Sequence, residues 1–164
     1  MRLFIAVPIP RSLQDLLAEQ ASPLSDHQAV KAVSPEGMHL TMAFIGEQDD
    51  AQIAGITDIM AKAARLAEPF EVACRGIIAF PLRGNPRVVS VPCTSGVEQL
   101  GRMHYFLMEN LGLAERSRFI PHITLARFKW YDRDLDARYR KLVRECAIDE
   151  RFTAGSLVLY ASEL

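Results

Sequence analysis

Features typical of secreted, disulfide-linked or membrane proteins are scarce in this sequence. Only three of its 164 residues are cysteine, at positions 74, 93 and 146, and no two lie close together in the chain. An odd, scattered set argues against a disulfide framework, so we expect reduced thiols in a cytoplasmic protein. Apolar runs such as Leu3–Pro10 are too short to span a bilayer, and the N-terminus lacks a small-residue cleavage site. We therefore expect no signal peptide and no contact with a membrane.

An excess of charge of one sign is also missing. The sequence has 19 basic and 20 acidic residues, for a net charge of −1, which argues against a broad electrostatic face for nucleic acid. By contrast, 49% of the residues are hydrophobic and 24% are charged, a composition typical of a globular protein. Arginine strongly outnumbers lysine, which suits bidentate binding of phosphate, although a biased genome composition explains the ratio equally well.

Two tetrapeptides share one pattern. His39-Leu40-Thr41-Met42 and His122-Ile123-Thr124-Leu125 each pair a histidine and a threonine across one apolar residue, and their flanks also match. On a strand, alternate side chains share a face, so each segment places an imidazole beside a hydroxyl and turns its apolar residues toward a core. Since the copies lie about half a chain apart, we expect two similar lobes that each offer one such strand to a shared cleft.

The remaining pattern predicts an α+β fold. Period-two alternation and turn residues predict strands at Arg2–Val7, Ala29–Val33, His39–Ile45, Phe70–Phe80, Arg87–Val91, His122–Phe128 and Phe152–Tyr160. Helical spacing predicts helices from Ser12 to about Ala21, from Asp49 or Asp50 to Pro69, and over Gly96–Gly112 and Asp132–Cys146, with Ser12 and Asp15 as a capping box for the first. We expect one domain over residues 1–164, with two mostly antiparallel sheets and helices on their outer faces.

Three kinds of chemistry could use the paired histidines. A metal site would be short of ligands, because no carboxylate accompanies either motif and no His-x-His or His-Glu-x-x-His occurs. Nucleophilic catalysis lacks a Gly-x-Ser-x-Gly turn and a cysteine beside a motif. Metal-free acid–base cleavage of a phosphoester uses every repeated residue: one neutral imidazole accepts a proton, one imidazolium donates a proton, and the threonines bind phosphate oxygens. We favour this third interpretation.

These motifs and their surroundings resemble the two-histidine phosphoesterases, most closely the branch of RNA 2′,3′-cyclic phosphodiesterases and 2′-5′ RNA ligases. The resemblance covers nearly the whole chain, in the segments Arg2–Val7, His39–Gly46, Phe80-Pro81, Pro86–Val89, Arg118–Arg127 and Leu157–Ser162. It implies a bilobal fold with pseudo-two-fold symmetry and a cleft between the sheets. It also implies hydrolysis of RNA 2′,3′-cyclic phosphate ends to 2′-phosphomonoesters without metal or cofactor, with 2′-5′ ligation as the reverse reaction.

The resemblance also implies roles for five residues. His39 matches the proton donor to the departing 3′ oxygen, and His122 matches the proton acceptor that activates water. Thr41 and Thr124 match the phosphate-binding threonines, and Arg127 matches a basic phosphate contact. Strict alternation would put Arg127 on the face opposite His122, so this last contact requires a bend or bulge near Ala126.

Other interpretations of the substrate remain open. We expect the protein to be a monomer. Its substrate could be an RNA end, or a small molecule such as a cyclic nucleotide, an ADP-ribose cyclic phosphate or a 2′-5′ oligoadenylate. A non-catalytic RNA-binding module is a further alternative.

Some aromatic and histidine residues outside the motifs have two interpretations. Phe4 and Phe44 could line the cleft near a base, although phenylalanine at strand spacing more often packs in a core. Trp130 and Tyr131 could stack on a base. His104 lies on the apolar stripe of a helix, so we expect a core histidine with satisfied hydrogen bonds.

Overall fold

The computed structural model describes residues 1–162, which form nine strands and four α-helices. The strands are β1 (Arg2–Pro8), β2 (Val30–Ala32), β3 (His39–Glu47), β4 (Phe70–Arg75), β5 (Ile78–Phe80), β6 (Val88–Pro92), β7 (His122–Phe128), β8 (Asp149–Ala154) and β9 (Val158–Ser162). The helices are α1 (Arg11–Ser25), α2 (Ile53–Ala64), α3 (Val97–Asn110) and α4 (Arg133–Glu145). Both motif strands begin at the predicted histidines.

The strands form two antiparallel sheets. The larger has the order β5-β6-β7-β3-β1-β9, with β2 also paired to β7, and the smaller consists of β4 and β8. Every strand pair in both sheets is antiparallel. The predicted α+β class with two antiparallel sheets is confirmed.

The larger sheet has two matching halves. One half has the order β9-β1-β3 and the other β5-β6-β7, and they meet where β3 pairs with β7 at Leu40 and Ile123. Their registers also correspond, because Pro8 lies opposite His39 in one half and Pro92 opposite His122 in the other. The two expected lobes are thus the halves of one sheet, and the motif strands are neighbours at its centre.

The core lies on one face of this sheet. Leu40, Met42, Ile123 and Leu125 are almost fully buried, as alternation within the motifs predicts. They belong to one hydrophobic cluster that also contains the apolar stripes of the helices, among them Leu13, Leu17 and Leu24 of α1 and Leu100, Met103 and Leu107 of α3. Full burial of each such side chain contributes about 1.5–3 kcal/mol, so the apolar positions of the motifs anchor both strands.

The start of α1 differs from the prediction. The helix begins at Arg11, and the capping box of Ser12 and Asp15 is wrong because the carbonyl of Pro10 already accepts hydrogen bonds from the N–H groups of Leu13 and Gln14, both at 3.0 Å. Ser12 therefore lies inside the first turn. The Asp15 carboxylate instead pairs with Arg11 at 2.9 Å, one helical turn away.

Two predicted strands are each divided. Phe70–Phe80 breaks at Gly76, whose φ is +75°, and the segments on either side, β4 and β5, belong to different sheets. Phe152–Tyr160 breaks after Ala154, and β8 and β9 again belong to different sheets. The sequence does not signal these changes of sheet. Because both sheets bury apolar side chains, the apolar pattern continues across each break.

Two cysteines distant in the sequence are neighbours in space. Cys74 and Cys93 are buried, free and opposite one another in an isolated antiparallel bridge, with their sulfur atoms 3.9 Å apart. Their separation in the sequence gave no sign of this contact.

The helices are short. Among residues 1–162, none is both long and apolar enough to cross a lipid bilayer.

Gly96, directly before α3, has a positive φ, a backbone conformation that costs other residues free energy. Its φ is +73°, and a Cβ atom there would lie 2.9 Å from the Glu71 carbonyl oxygen and 3.1 Å from the Phe70 ring. We expect Gly96→Ala to lower the free energy of unfolding by roughly 1–3 kcal/mol. Gly101→Ala, within α3 where a Cβ meets no atom within 4 Å, should instead raise it by roughly 0.5–1 kcal/mol. Urea denaturation measures both, and equal or greater stability of Gly96→Ala would contradict the assignment.

Candidate active site

The four repeated polar side chains lie on one face of the sheet. Leu40 pairs with Ile123 and both point into the core, so the residues on either side of them turn to the opposite face. The antiparallel register sets His39 opposite Thr124 and Thr41 opposite His122. Side chains in such positions are direct or diagonal neighbours, typically about 4.5–8 Å apart. The structure therefore brings together both predicted His/Thr pairs, which are half-buried on this face.

A β-bulge in β7 brings Arg127 to the same face. Val89 and Ser90 are consecutive in β6, yet their partners in β7 are Ala126 and Thr124, so Leu125 is an extra residue in the ladder. The alternation shifts by one position, and Arg127 is exposed where strict alternation would bury it. The bulge that the predicted role of Arg127 requires is thus confirmed, beginning one residue before Ala126.

The first motif strand has the same bulge. Ile5 and Ala6 of β1 pair with Ala43 and Thr41 of β3, which makes Met42 the extra residue. Phe44 therefore takes the position that Arg127 takes in the other half, and its side chain is 69% exposed. Each half thus presents a histidine, a threonine and a third group, and only this third group differs between them.

Burial and a nearby positive charge lower the pKa of both motif imidazoles. The pKa of His39 lies below its ordinary value, first because of burial and also because of the positive charge of Arg127, while the backbone of Gly37 acts in the opposite sense. The pKa of His122 is lowered by burial and by Arg127 in the same way, with the backbone of Ile120 opposing. The positive charge of Arg127 therefore acts on both rings.

The orientation of His122 follows from a hydrogen bond. Its Nδ1 lies 2.6 Å from the carbonyl oxygen of Ile120. Since a carbonyl oxygen only accepts, Nδ1 must carry a proton and donate it. Nε2 is then the ring nitrogen that remains to accept or donate a proton in a reaction.

Aromatic rings flank both histidines. Phe4 lies 4.8 Å and Tyr160 5.7 Å from His39, between ring centroids, and these two rings stack on each other at 5.2 Å. Phe80 lies 4.7 Å from His122. Tyr160 and Phe80 were not predicted as site residues, and no local signal marks them, because they reach the histidines through strand pairing with Phe4 and with Val88.

The other aromatic candidates lie elsewhere. Trp130 packs near His27, with ring centroids 6.5 Å apart, and the Tyr131 hydroxyl donates to Asp136 at the start of α4. Neither contacts a motif histidine through its ring in the described structure. Phe4 and Phe44, by contrast, face the site.

Ser90 is a further polar residue of this region. It pairs with Thr124 in the ladder and is fully buried. Within residues 1–162, its Oγ is the one buried side-chain oxygen or nitrogen without a hydrogen-bond partner. The same range contains no group of three or more His, Cys, Asp or Glu side chains arranged to hold a metal ion.

Comparison with known proteins agrees with this geometry. A family model described as LigT-like phosphoesterase matches residues 7–90, half of the chain. A protein of Archaeoglobus fulgidus named RNA 2′,3′-cyclic phosphodiesterase is 33% identical over 135 residues, which cover 79% of this chain and 73% of that protein. The chain belongs to the LigT-like phosphoesterase family.

Two other relatives of this LigT-like phosphoesterase carry the same name. The Aeropyrum pernix RNA 2′,3′-cyclic phosphodiesterase is 35% identical over 137 residues, covering 81% of this chain and 72% of that protein. The Thermus thermophilus protein is 34% identical over 137 residues, covering 79% of this chain and 69% of that protein.

Solved structures share the fold. A crystal structure of a Thermus thermophilus protein has a TM-score of 0.78 and 25% identity, covering 100% of this chain and 90% of that one. The structure of Escherichia coli LigT complexed with 3′-AMP has a TM-score of 0.75 and 20% identity, covering 99% of this chain and 88% of that one.

The shared effect of Arg127 on both imidazoles can be measured directly. Because a positive charge disfavours the protonated ring, we expect Arg127→Gln to raise the pKa of His39 and of His122. Arg127→Lys keeps the charge and should leave both pKa values closer to those of the original protein. Two-dimensional NMR titration of the histidine ring signals tests this, and a shift of only one histidine would show that Arg127 does not lie near both.

Proposed function

We propose that this LigT-like phosphoesterase hydrolyses 2′,3′-cyclic phosphate ends of RNA to 2′-phosphomonoesters by acid–base catalysis between His39 and His122. The observation that carries the proposal is the pairing of β3 with β7, which sets two His/Thr pairs side by side on one face with Arg127 acting on both. The names of the Archaeoglobus, Aeropyrum and Thermus relatives support the same reaction class.

The reaction balances with two proton transfers. His122 accepts a proton from water at Nε2, as its hydrogen bond to Ile120 through Nδ1 allows, and the water oxygen attacks phosphorus. The bond between phosphorus and the 3′ oxygen breaks while the His39 imidazolium donates its proton to that oxygen. The products are a 2′-phosphomonoester and a 3′ hydroxyl, and exchange with solvent restores the two protonation states.

The other site residues stabilise charge on phosphate. Thr41 and Thr124 lie beside the imidazoles and can donate hydroxyl hydrogen bonds to the non-bridging oxygens, where negative charge develops. The bulge turns Arg127 to the same face, where its positive charge would compensate this negative charge. If the 5′ hydroxyl of a second RNA end replaces water, the same two proton transfers form a 2′-5′ phosphodiester and release the 3′ hydroxyl, so 2′-5′ ligation requires no additional residues.

Small nucleotide cyclic phosphates are the second candidate substrates. The side chain of Phe44 is exposed and could stack on the base of a single nucleotide, and such stacking is worth about 1–3 kcal/mol. Parallel assays of a 2′,3′-cyclic-phosphate-ended oligonucleotide, 2′,3′-cyclic AMP, ADP-ribose cyclic phosphate and 2′-5′ oligoadenylate discriminate the candidates by kcat/KM. Binding of RNA without turnover of any of them would favour a non-catalytic role.

Removal of either imidazole should abolish most turnover. We expect His39→Ala and His122→Ala each to lower kcat by roughly 10²–10⁴-fold, because each removes one proton transfer. The assay uses an oligonucleotide with a 2′,3′-cyclic phosphate end in the presence of EDTA, and NMR or enzymatic mapping shows whether the product phosphate is on the 2′ or the 3′ oxygen.

A matched control is His27→Ala. His27 is a half-buried histidine that contacts Asp132 at 3.2 Å, outside the motif strands, so its replacement should leave kcat unchanged. Full activity in either motif variant, loss of activity with EDTA, or a 3′-phosphate product would contradict the proposed mechanism.

The threonine hydroxyls should act mainly in the transition state. Thr124→Val keeps the shape of the side chain but removes its donor, so we expect kcat to fall by on the order of 10²-fold with little change in KM. Thr124→Ser restores a hydroxyl and should recover most of the rate. Full activity of Thr124→Val together with a loss in Thr124→Ser would show that the methyl group matters and the hydroxyl does not.

A further inference from the structure

The two β-bulges differ in what satisfies their carbonyl groups. In β7, the carbonyl of the extra residue Leu125 accepts a hydrogen bond from the backbone N–H of Val33 at 2.8 Å, just beyond β2. In β3, the extra residue Met42 has no such strand beside it in the described sheet, whose order gives β3 only β1 and β7 as neighbours. Its carbonyl oxygen instead lies 2.6 Å from Nδ1 of His104, on α3. A side chain thus takes the place of a backbone donor.

Both ring nitrogens and one ring face of His104 have contacts within the protein. Its side chain is 8% exposed, its ring stacks on Phe119 with centroids 3.9 Å apart and an interplanar angle of 6°, and its Nε2 lies 2.5 Å from a carboxylate oxygen of Glu115. The predicted core histidine with satisfied hydrogen bonds is therefore confirmed. Both partners other than Met42 come from the loop at residues 111–121, which leads directly into His122.

The hydrogen bonds of His104 have a fixed direction. Because the Met42 carbonyl only accepts, Nδ1 must donate to it. Glu115 then shares a proton with Nε2, carried either by the ring as an imidazolium or by the carboxyl group. In both cases Nδ1 remains a donor, so the bond to β3 persists.

We propose that His104 is a positioning residue for the reaction: by holding the Met42 carbonyl against the loop that leads to His122, it fixes the bulge that sets Thr41 and Phe44 toward the site. Met42 directly follows Thr41, and the phase change at Met42 is what turns Phe44 to the histidine face. The loop contacts tie the same ring to the second motif strand. His104 therefore links the two strands whose relative placement the reaction requires.

The test separates the hydrogen bond from the packing of the ring. His104→Phe keeps a ring that can stack on Phe119 but has no donor for Met42. We expect kcat to fall by on the order of 10–100-fold, with a smaller rise in KM from weaker binding of the phosphate group. His104→Asn keeps a donor near the position of Nδ1 and should recover most of kcat. His104→Gln places its amide one bond further along and should not recover it.

A matched control removes a similar histidine elsewhere. His27→Phe likewise replaces an imidazole that contacts a carboxylate, that of Asp132, with a phenyl ring. Because His27 lies outside both motif strands, this variant should leave kcat unchanged. All variants are assayed well below their melting temperatures, so that a loss of stability alone does not change kcat. Wild-type kcat in His104→Phe would overturn the proposal, as would equal losses in His104→Asn and His104→Gln. If His104→Phe does not fold, the Asn and Gln variants decide.

This inference rests on the proposed function, and a second measurement separates the two. Titration of each variant with inorganic phosphate, followed through the amide signals of Thr41 and Thr124, reports the site without turnover. An inactive wild-type protein would reject the proposed reaction, and the titration would then decide on His104 alone. Weaker phosphate binding in His104→Phe, but not in His27→Phe, supports the positioning role, and unchanged binding rejects it.

Discussion

The pairing of Leu40 with Ile123 is the contact on which the site depends. Both side chains are fully buried, and they form the one ladder position at which β3 and β7 meet. Burial of each contributes about 1.5–3 kcal/mol, which fixes the face that each strand turns to the core. A slip of one residue in either strand would send an imidazole and a hydroxyl into the core and a leucine or isoleucine to the site. Apolar packing on one face therefore sets the chemistry on the other.

The bulges allow three side chains of each strand to share the site. Without an extra residue, the alternation would expose His39, Thr41 and Ala43, or His122, Thr124 and Ala126. With it, Phe44 and Arg127 reach the histidine face. The equivalent bulges give the site its internal symmetry, and the two different third groups break that symmetry. Under the proposed function, a substrate with a base at one end and a phosphate at the other would then bind in one preferred direction.

Much of this arrangement could be predicted from the sequence, because it follows from local rules. Period-two alternation in the tetrapeptides gave the motif strands and the face of each side chain, and the chemistry expected of Arg127 required the bulge. The divisions at Gly76 and after Ala154 were missed, since changing sheets leaves the apolar pattern intact. The contact of Cys74 with Cys93, like the approach of Tyr160 and Phe80 to the histidines, depends on strand order, which no local pattern encodes.

The similarity of the two halves bears on how acid and base are assigned. Burial and Arg127 lower the pKa of both histidines, so the surroundings alone do not single out one ring as the donor. A bound phosphodiester carries a negative charge, and a negative charge beside an imidazole favours its protonated form. In the proposed mechanism, the substrate would therefore promote the imidazolium that its cleavage needs, and the ring next to the departing oxygen would donate because negative charge gathers on that oxygen. In the reverse direction the same two rings exchange roles, which a pair of nearly equivalent histidines permits.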